Sequence, residues 1–133
     1  MKGRSLAPGV AEGIALVLHE PLSLWGGVDP ATGAIIDARH PQRGASVSGR
    51  VLVMPAARGS SSSSSVLAEA VRAGCAPAAI LLGEPDLILA VGAAVAEELY
   101  GISVPVVLLA GAELGAIVDG ARVMVDGAEV SLV

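Results

Sequence analysis

Between Val51 and Leu109 short apolar runs alternate with amphipathic stretches, each closed by glycine or proline, and this rhythm leaves few folds open. Val51-Leu52-Val53-Met54 stops at Pro55 and reads as a buried strand. Ser60 to Gly74 reads as a helix: serines at its start can cap free N–H groups, Leu67, Ala70 and Val71 fall at i, i+3 and i+4, and Gly74 stops it. Ala78–Leu82 is a second buried strand, Leu87–Tyr100 a helix ending at Gly101, and Val104–Leu109 a third strand. Strand, helix, strand, helix, strand predicts a parallel sheet with crossover helices, because parallel neighbours cannot be joined by a tight hairpin.

The flanks add β structure. Arg4–Leu6 and Gly13–Leu18 alternate loosely around Pro8-Gly9 and are expected to pair with each other as edge elements. Arg122–Val130 reads as a hairpin turning at Asp126-Gly127. Glu20–Ser48 has little periodicity and much Gly, Pro and Asp; the apolar run Ala34–Ile36 and the lack of charge runs favour an ordered functional loop over a linker. No internal repeat is present. The expected fold class is α/β, a single β/β/α layered or barrel-like domain over residues 1–133.

Composition fixes what the core is made of and which functions drop out. Apolar residues are 53% of 133, yet Trp25 and Tyr100 are the sole aromatics, so Ala, Val, Leu and Ile must fill the interior. That apolar content excludes disorder. A chain this long is one domain's worth, too short for a two-domain enzyme carrying its whole active site. Leu87–Leu99 is the longest weakly polar stretch, and it falls short of the ~20 residues of a membrane span. The start, Met1-Lys2-Gly3-Arg4, runs into Pro8 and Glu12 without an apolar region, so a cytoplasmic chain without a secretory signal is expected. Net charge −5 with eight Lys+Arg argues against a nucleic-acid partner. Cys75 is alone, so no internal disulfide forms and any metal must be anchored mainly elsewhere.

Arg58-Gly59 followed by six serines, Ser60 to Ser65, could be dismissed as a flexible linker. Its position between a buried strand and an amphipathic helix makes it a strand-to-helix turn instead. Free N–H groups there, small hydroxyls and Arg58 together suit a carboxylate or phosphate. The pattern is neither a Walker A loop, which needs Lys-Ser/Thr after the second glycine, nor a nucleophile elbow. A serine there could serve as a base if N–H groups and a cation stabilised its alkoxide.

The series Gly26-Gly27-Val28-Asp29-Pro30-x-Thr32-Gly33, then Asp37-x-x-His40-Pro41, then Gly49-Arg50 and the strand leading to Arg58-Gly59-Ser60 and Ser64 resembles the small subunit, or swivel domain, of the aconitase X family. The resemblance runs from Gly3-Arg4 to about Leu109. It implies a swivelling domain that closes over a larger subunit carrying an iron or iron–sulfur centre, the pair dehydrating a hydroxy acid. It also implies Ser60 as the catalytic base, with Ser61 or Ser62 left open by the uniform run. Arg58, Gly59, Ser61, Ser62 and Ser64 would then hold substrate or the enolate-like charge. In the family two substrates stand out: cis-3-hydroxy-L-proline, the first choice here on Arg-over-Lys and Ala-rich usage, and mevalonate 5-phosphate.

Other polar residues divide between turn chemistry and function. Asp29, Asp37 and His40 sit in the irregular loop, where sites concentrate, although Asp29-Pro30 and His40-Pro41 are also good turn starters. Trp25 is a candidate anchor for that loop or for a partner. Glu69 and Arg72 suit a solvated pair, and Cys75 a small buried side chain. A competing class is a non-catalytic anion-binding swivel module; a phosphohistidine carrier fits poorly because Pro41 follows His40.

Overall fold

The apolar runs form the centre of one sheet in a computed structural model that describes every residue from Met1 to Val133. The elements are β1 Arg4–Ala7, β2 Val10–Val17, α1 Leu24–Gly27, β3 Val51–Met54, α2 Ser63–Ala73, β4 Ala79–Leu82, α3 Leu87–Tyr100, β5 Val106–Leu108, α4 Gly111–Gly115, β6 Arg122–Asp126 and β7 Glu129–Leu132. The strand order is β1-β5-β4-β3-β2-β6-β7, with β2, β3, β4 and β5 parallel. α2 and α3 provide the two crossovers that the alternation predicts. Both central strands are buried on both faces, which is why they read as unbroken apolar runs rather than as alternation.

Two half-cores result from the period-2 geometry of the strands. Leu52, Met54, Ile80 and Leu82 face α2 and α3, where Leu67, Val71, Leu89 and Ala93 meet them. Val51, Val53, Ala79 and Leu81 face the other way, toward Leu114, Ile117 and the inward residues Val123, Val125 and Val130 of β6 and β7. The layers are therefore β/β/α.

The sheet curls because β2 changes partner along its length. Val10–Ile14 pair antiparallel with β6, and Ala15–Val17 pair parallel with β3. Arg50 sits at the switch, its Nε donating to the Ile14 carbonyl and its Nη2 to that of Ala15, each at 3.0 Å. Gly13 is required there, since a Cβ would lie 2.8 Å from the Gly49 carbonyl oxygen. At the opposite edge, Gly3 N–H donates to Ala128 O and Val130 N–H to Met1 O, both at 2.8 Å. The curled sheet thus brings β7 back to the segment that leads into β1.

Several expectations need correction. β1 and β2 do not pair with each other: β1 pairs with β5, and β2, which begins at Val10, lies in mid-sheet. A two-residue hairpin turn needs positive φ at its first central residue, and Pro8 cannot supply it. The final hairpin turns one residue later than read, Asp126 pairing with Glu129 across Gly127-Ala128, with Gly127 at φ 59°. α2 begins at Ser63 rather than Ser60, and α4, flanked by glycines, gave no sequence signal. Residues 20–48 are an ordered loop: Leu22, Leu24, Val28, Ile35 and Val47 are buried in the α2 half-core. No helix is long and apolar enough to cross a membrane.

Candidate functional site

The carboxyl ends of β2 to β5 form one edge of the molecule, the edge where open α/β sheets place ligands. The serine run leaves from that edge. After β3, Ala57 bridges to Leu22 and Arg58 N–H donates to Leu22 O at 3.1 Å, fixing the entry to the turn. Ser60 Oγ then accepts the Ser62 N–H at 3.2 Å, and Ser60 O accepts the Ser63 N–H at 2.9 Å. Ser61 O accepts from both Ser64 N–H, at 3.3 Å, and Ser64 Oγ–H, at 2.8 Å.

This tight turn consumes the N–H groups from Ser62 onward, so the helix's first turn is not where free donors lie. Gly59, Ser60 and Ser61 instead have N–H groups with no partner in the chain. Three consecutive backbone donors beside the Ser60 hydroxyl are thus left free. Arg58 is exposed and its guanidinium forms no ion pair. Ser61 and Ser62 are exposed, whereas Ser64 spends its hydroxyl proton on the turn.

Ser63 of the same run is buried, and its Oγ accepts the Trp25 backbone N–H at 3.2 Å. That bond ties the α1 turn to the start of α2 and places Trp25, 58% exposed, near the serines. On the other side, Ser61 and Ser64 share with Leu87, Ile88 and Val91 a shallow groove of about 230 Å³. A larger cleft of about 410 Å³ lies at the ends of β2 and β3, between Leu18, Met54, Pro55 and Leu114. Its one ionisable lining residue is Glu84, a poor environment for an anionic substrate.

The loop residues do not all reach the serines. Asp29 Oδ1 accepts the Ala31 N–H at 2.9 Å, and its carbonyl takes those of Thr32 and Gly33. The adjoining Pro30 carbonyl accepts from Cys75 Sγ, just beyond the far end of α2. Eleven helical residues separate the two ends, about 16 Å at the usual rise, so Asp29 stands apart from the serine turn. His40 is buried, with Nε2 donating to Glu20 O and Nδ1 accepting from Gln42 N–H, both at 3.1 Å. No ring nitrogen remains for a ligand; the imidazole closes the loop instead. Asp37 uses Oδ1 to accept the Arg39 N–H at 2.9 Å, and Ile36 N–H reaches Gly27 O, which keeps Asp37 beside α1 and on the serine side. Gln42 holds the end of β2 through the Val17 carbonyl and the chain just beyond it through the His19 N–H, while Arg50 holds the strand's switch point.

Burial pushes the Cys75 thiol up, with Asp29 and Glu69 adding to it. The Arg72 hydrogen bond holds Glu69 below the usual carboxylate range. No three His, Cys, Asp or Glu side chains converge as a ligand set, and Cys75 points away from the serine turn toward Pro30. The chain's own residues do not fit an iron centre.

Curled sheet, paired helices and open carboxyl edge define an α/β domain of the swivel type. The chain belongs to the aconitase X family, whose swivel-domain profile matches residues 1–133. It is 53% identical over 106 residues to the cis-3-hydroxy-L-proline dehydratase of Pseudomonas aeruginosa, covering 80% of this chain and 18% of that protein. It is 38% identical over 130 residues to the phosphomevalonate dehydratase small subunit of Methanosarcina acetivorans, covering 97% and 86%. The crystal structure of Thermococcus kodakaraensis aconitase X in its holo-form superposes with a TM-score of 0.87 at 37% identity, over 99% of this chain and 96% of that one. The chain thus spans about a fifth of the length of the hydroxyproline dehydratases it matches.

Proposed function

We propose that this chain is the small subunit of a two-subunit aconitase X-type hydro-lyase that removes water from a hydroxy acid. The observation that carries this reading is the row of unpaired N–H groups at Gly59, Ser60 and Ser61 beside a half-buried Ser60 hydroxyl. The three donors and Arg58 receive the substrate carboxylate. Ser60 Oγ takes the proton from the adjacent carbon, and the Ser62 N–H, already donating to that oxygen, stabilises the alkoxide form. As the C–H electron pair forms the C=C bond, the C–O bond on the next carbon breaks, and the departing hydroxide takes the proton that Ser60 collected, leaving as water and restoring the serine base. Exposed Ser61 and Ser62 face the charge that develops on the carboxylate. The iron or iron–sulfur centre that the family resemblance implies belongs in this reading to the larger subunit.

The first substrate is cis-3-hydroxy-L-proline, whose dehydration product tautomerises to a pyrroline carboxylate; the 53% identity to the Pseudomonas aeruginosa enzyme supports it. The match to a separate small subunit over 86% of its length favours mevalonate 5-phosphate as the second reading. Co-expression with the larger subunit, followed by assay of water loss from both compounds, tests the proposal. Turnover of either one sustains the reading and chooses the substrate. A stable complex inactive on both, or a chain that binds carboxylates alone and recruits no subunit, refutes it in favour of a non-catalytic module.

A further inference from the structure

Helix α3 presents to solvent a ridge that a monomer has no use for. Leu87, Val91, Val95 and Leu99 recur every four residues and are 73%, 54%, 41% and 64% exposed. Side chains at i, i+4, i+8 and i+12 form a continuous row along one helix face. The buried positions Leu89, Ala93 and Ala96 occupy the opposite face, against the sheet, so the ridge is surplus to the fold's own packing.

We propose that this ridge is the face on which the larger subunit docks, and that docking there closes the serine turn from solvent. The inference rests on the small-subunit reading and adds where the partner sits. Its first support is continuity: Leu87 and Val91 share one groove with Ser61 and Ser64, so a body covering the ridge also covers the site. The second is size. In the hydroxyproline dehydratases this domain makes up 18% and 22% of the whole chain, so each carries a body several times larger available to cover such a face. The third is charge. Glu97 and Glu98, exposed and without salt bridges, border the far end of the ridge in a chain of net charge −5. The complementary face is accordingly an apolar strip rimmed by Lys or Arg.

The test is to measure the affinity of the larger subunit for the wild-type chain, for Val95→Lys/Leu99→Lys and for Val118→Lys. Leu99 lies near the far end of α3, Val95 borders a second groove with Ser64 and Ser65, and both exposed helix positions tolerate lysine, so affinity rather than turnover is the readout. Val118 is 68% exposed on the opposite side of the sheet. Circular dichroism of each free variant reports folding. The double variant is expected to weaken the complex at least about tenfold while Val118→Lys leaves it unchanged. Equal affinity for the folded double variant overturns the docking face while leaving the dehydratase reading intact. A wild-type homodimer lost on the double substitution, with larger-subunit affinity retained, assigns the ridge to a second copy and also overturns it. If the wild-type chain binds no larger subunit, the small-subunit reading itself fails, and the inference with it.

Discussion

Gly92 of α3 lies directly against the backbone of Ser64 in α2: a Cβ on Gly92 would stand 2.8 Å from the Ser64 carbonyl oxygen and 2.9 Å from its α-carbon. Two effects compete in Gly92→Ala. Helix propensity favours alanine by about 1 kcal/mol, whereas backbone atoms cannot rotate aside, so α2 and α3 must part at a cost of about 1–3 kcal/mol. The clash is expected to win. A lower Tm together with reduced turnover of the complex, because Ser64 anchors the serine turn, is the expected result. A variant as stable as wild type, or more so, would show that the helices separate freely.

The serine register is open to a direct comparison. Ser60→Ala is expected to reduce kcat by about 10² to 10⁴, the range for loss of a general base, whereas Ser61→Ala and Ser62→Ala stay within about tenfold. Arg58→Ala is expected to raise KM more than it lowers kcat, since its guanidinium binds charge present already in the ground state. Should Ser61→Ala prove the most damaging, the base moves by one residue.

Arg50 holds the point where β2 passes from β6 to β3. Hydrogen bonds from a charged donor are worth about 1.5–3 kcal/mol, so Arg50→Ala is expected to cost about that much in urea unfolding. Arg50→Lys can reach one carbonyl but not fork to Ile14 and Ala15 together, and should recover only part. Wild-type stability in Arg50→Ala would mean that strand pairing alone sets the curl.

His40 separates a structural from a catalytic role. His40→Ala removes the hydrogen bonds to the Glu20 carbonyl and the Gln42 N–H, at about 0.5–1.5 kcal/mol each, and empties a buried ring site. A fall in Tm with kcat retained below the melting range is expected. A loss of kcat in a variant that melts normally would return His40 to the site.

The parallel core was legible because its physics is local. Val51–Met54 and Ala79–Leu82 are buried on both faces, and Gly74 and Gly101 take the left-handed conformation that ends their helices. What sequence could not convey was long-range. The edge position of β1 depends on Val106–Leu108, a hundred residues away, and the clasp formed by His40 and Gln42 depends on carbonyls of β2 and the residues after it. The serine run was legible as a strand-to-helix turn with free N–H donors, but those donors are Gly59 to Ser61, because the Ser60 hydroxyl and the Ser60, Ser61 and Ser62 carbonyls take the N–H groups that follow.

Cys75 should give the chain a distinct alkaline limit. Its Sγ–H donates to Pro30 O, which only the protonated thiol can do, and burial raises its pKa above the ordinary ~8.5. The unfolded chain releases this proton at the ordinary value while the folded chain keeps it. Above that pH the unfolded state therefore binds fewer protons than the native state, and stability falls. The contribution is complete below about pH 8 and is lost progressively as pH rises from the ordinary thiol value up through the raised value of the folded chain. Unfolding measured from pH 7 to 10 is expected to show this decline in wild type and a shallower one in Cys75→Ser, whose hydroxyl also donates but does not titrate there. The native thiol should likewise react slowly with a disulfide reagent at pH 8 until denaturant is added. Identical pH dependence in the two proteins, with rapid native labelling, would show that Cys75 ionises as freely in the fold as outside it.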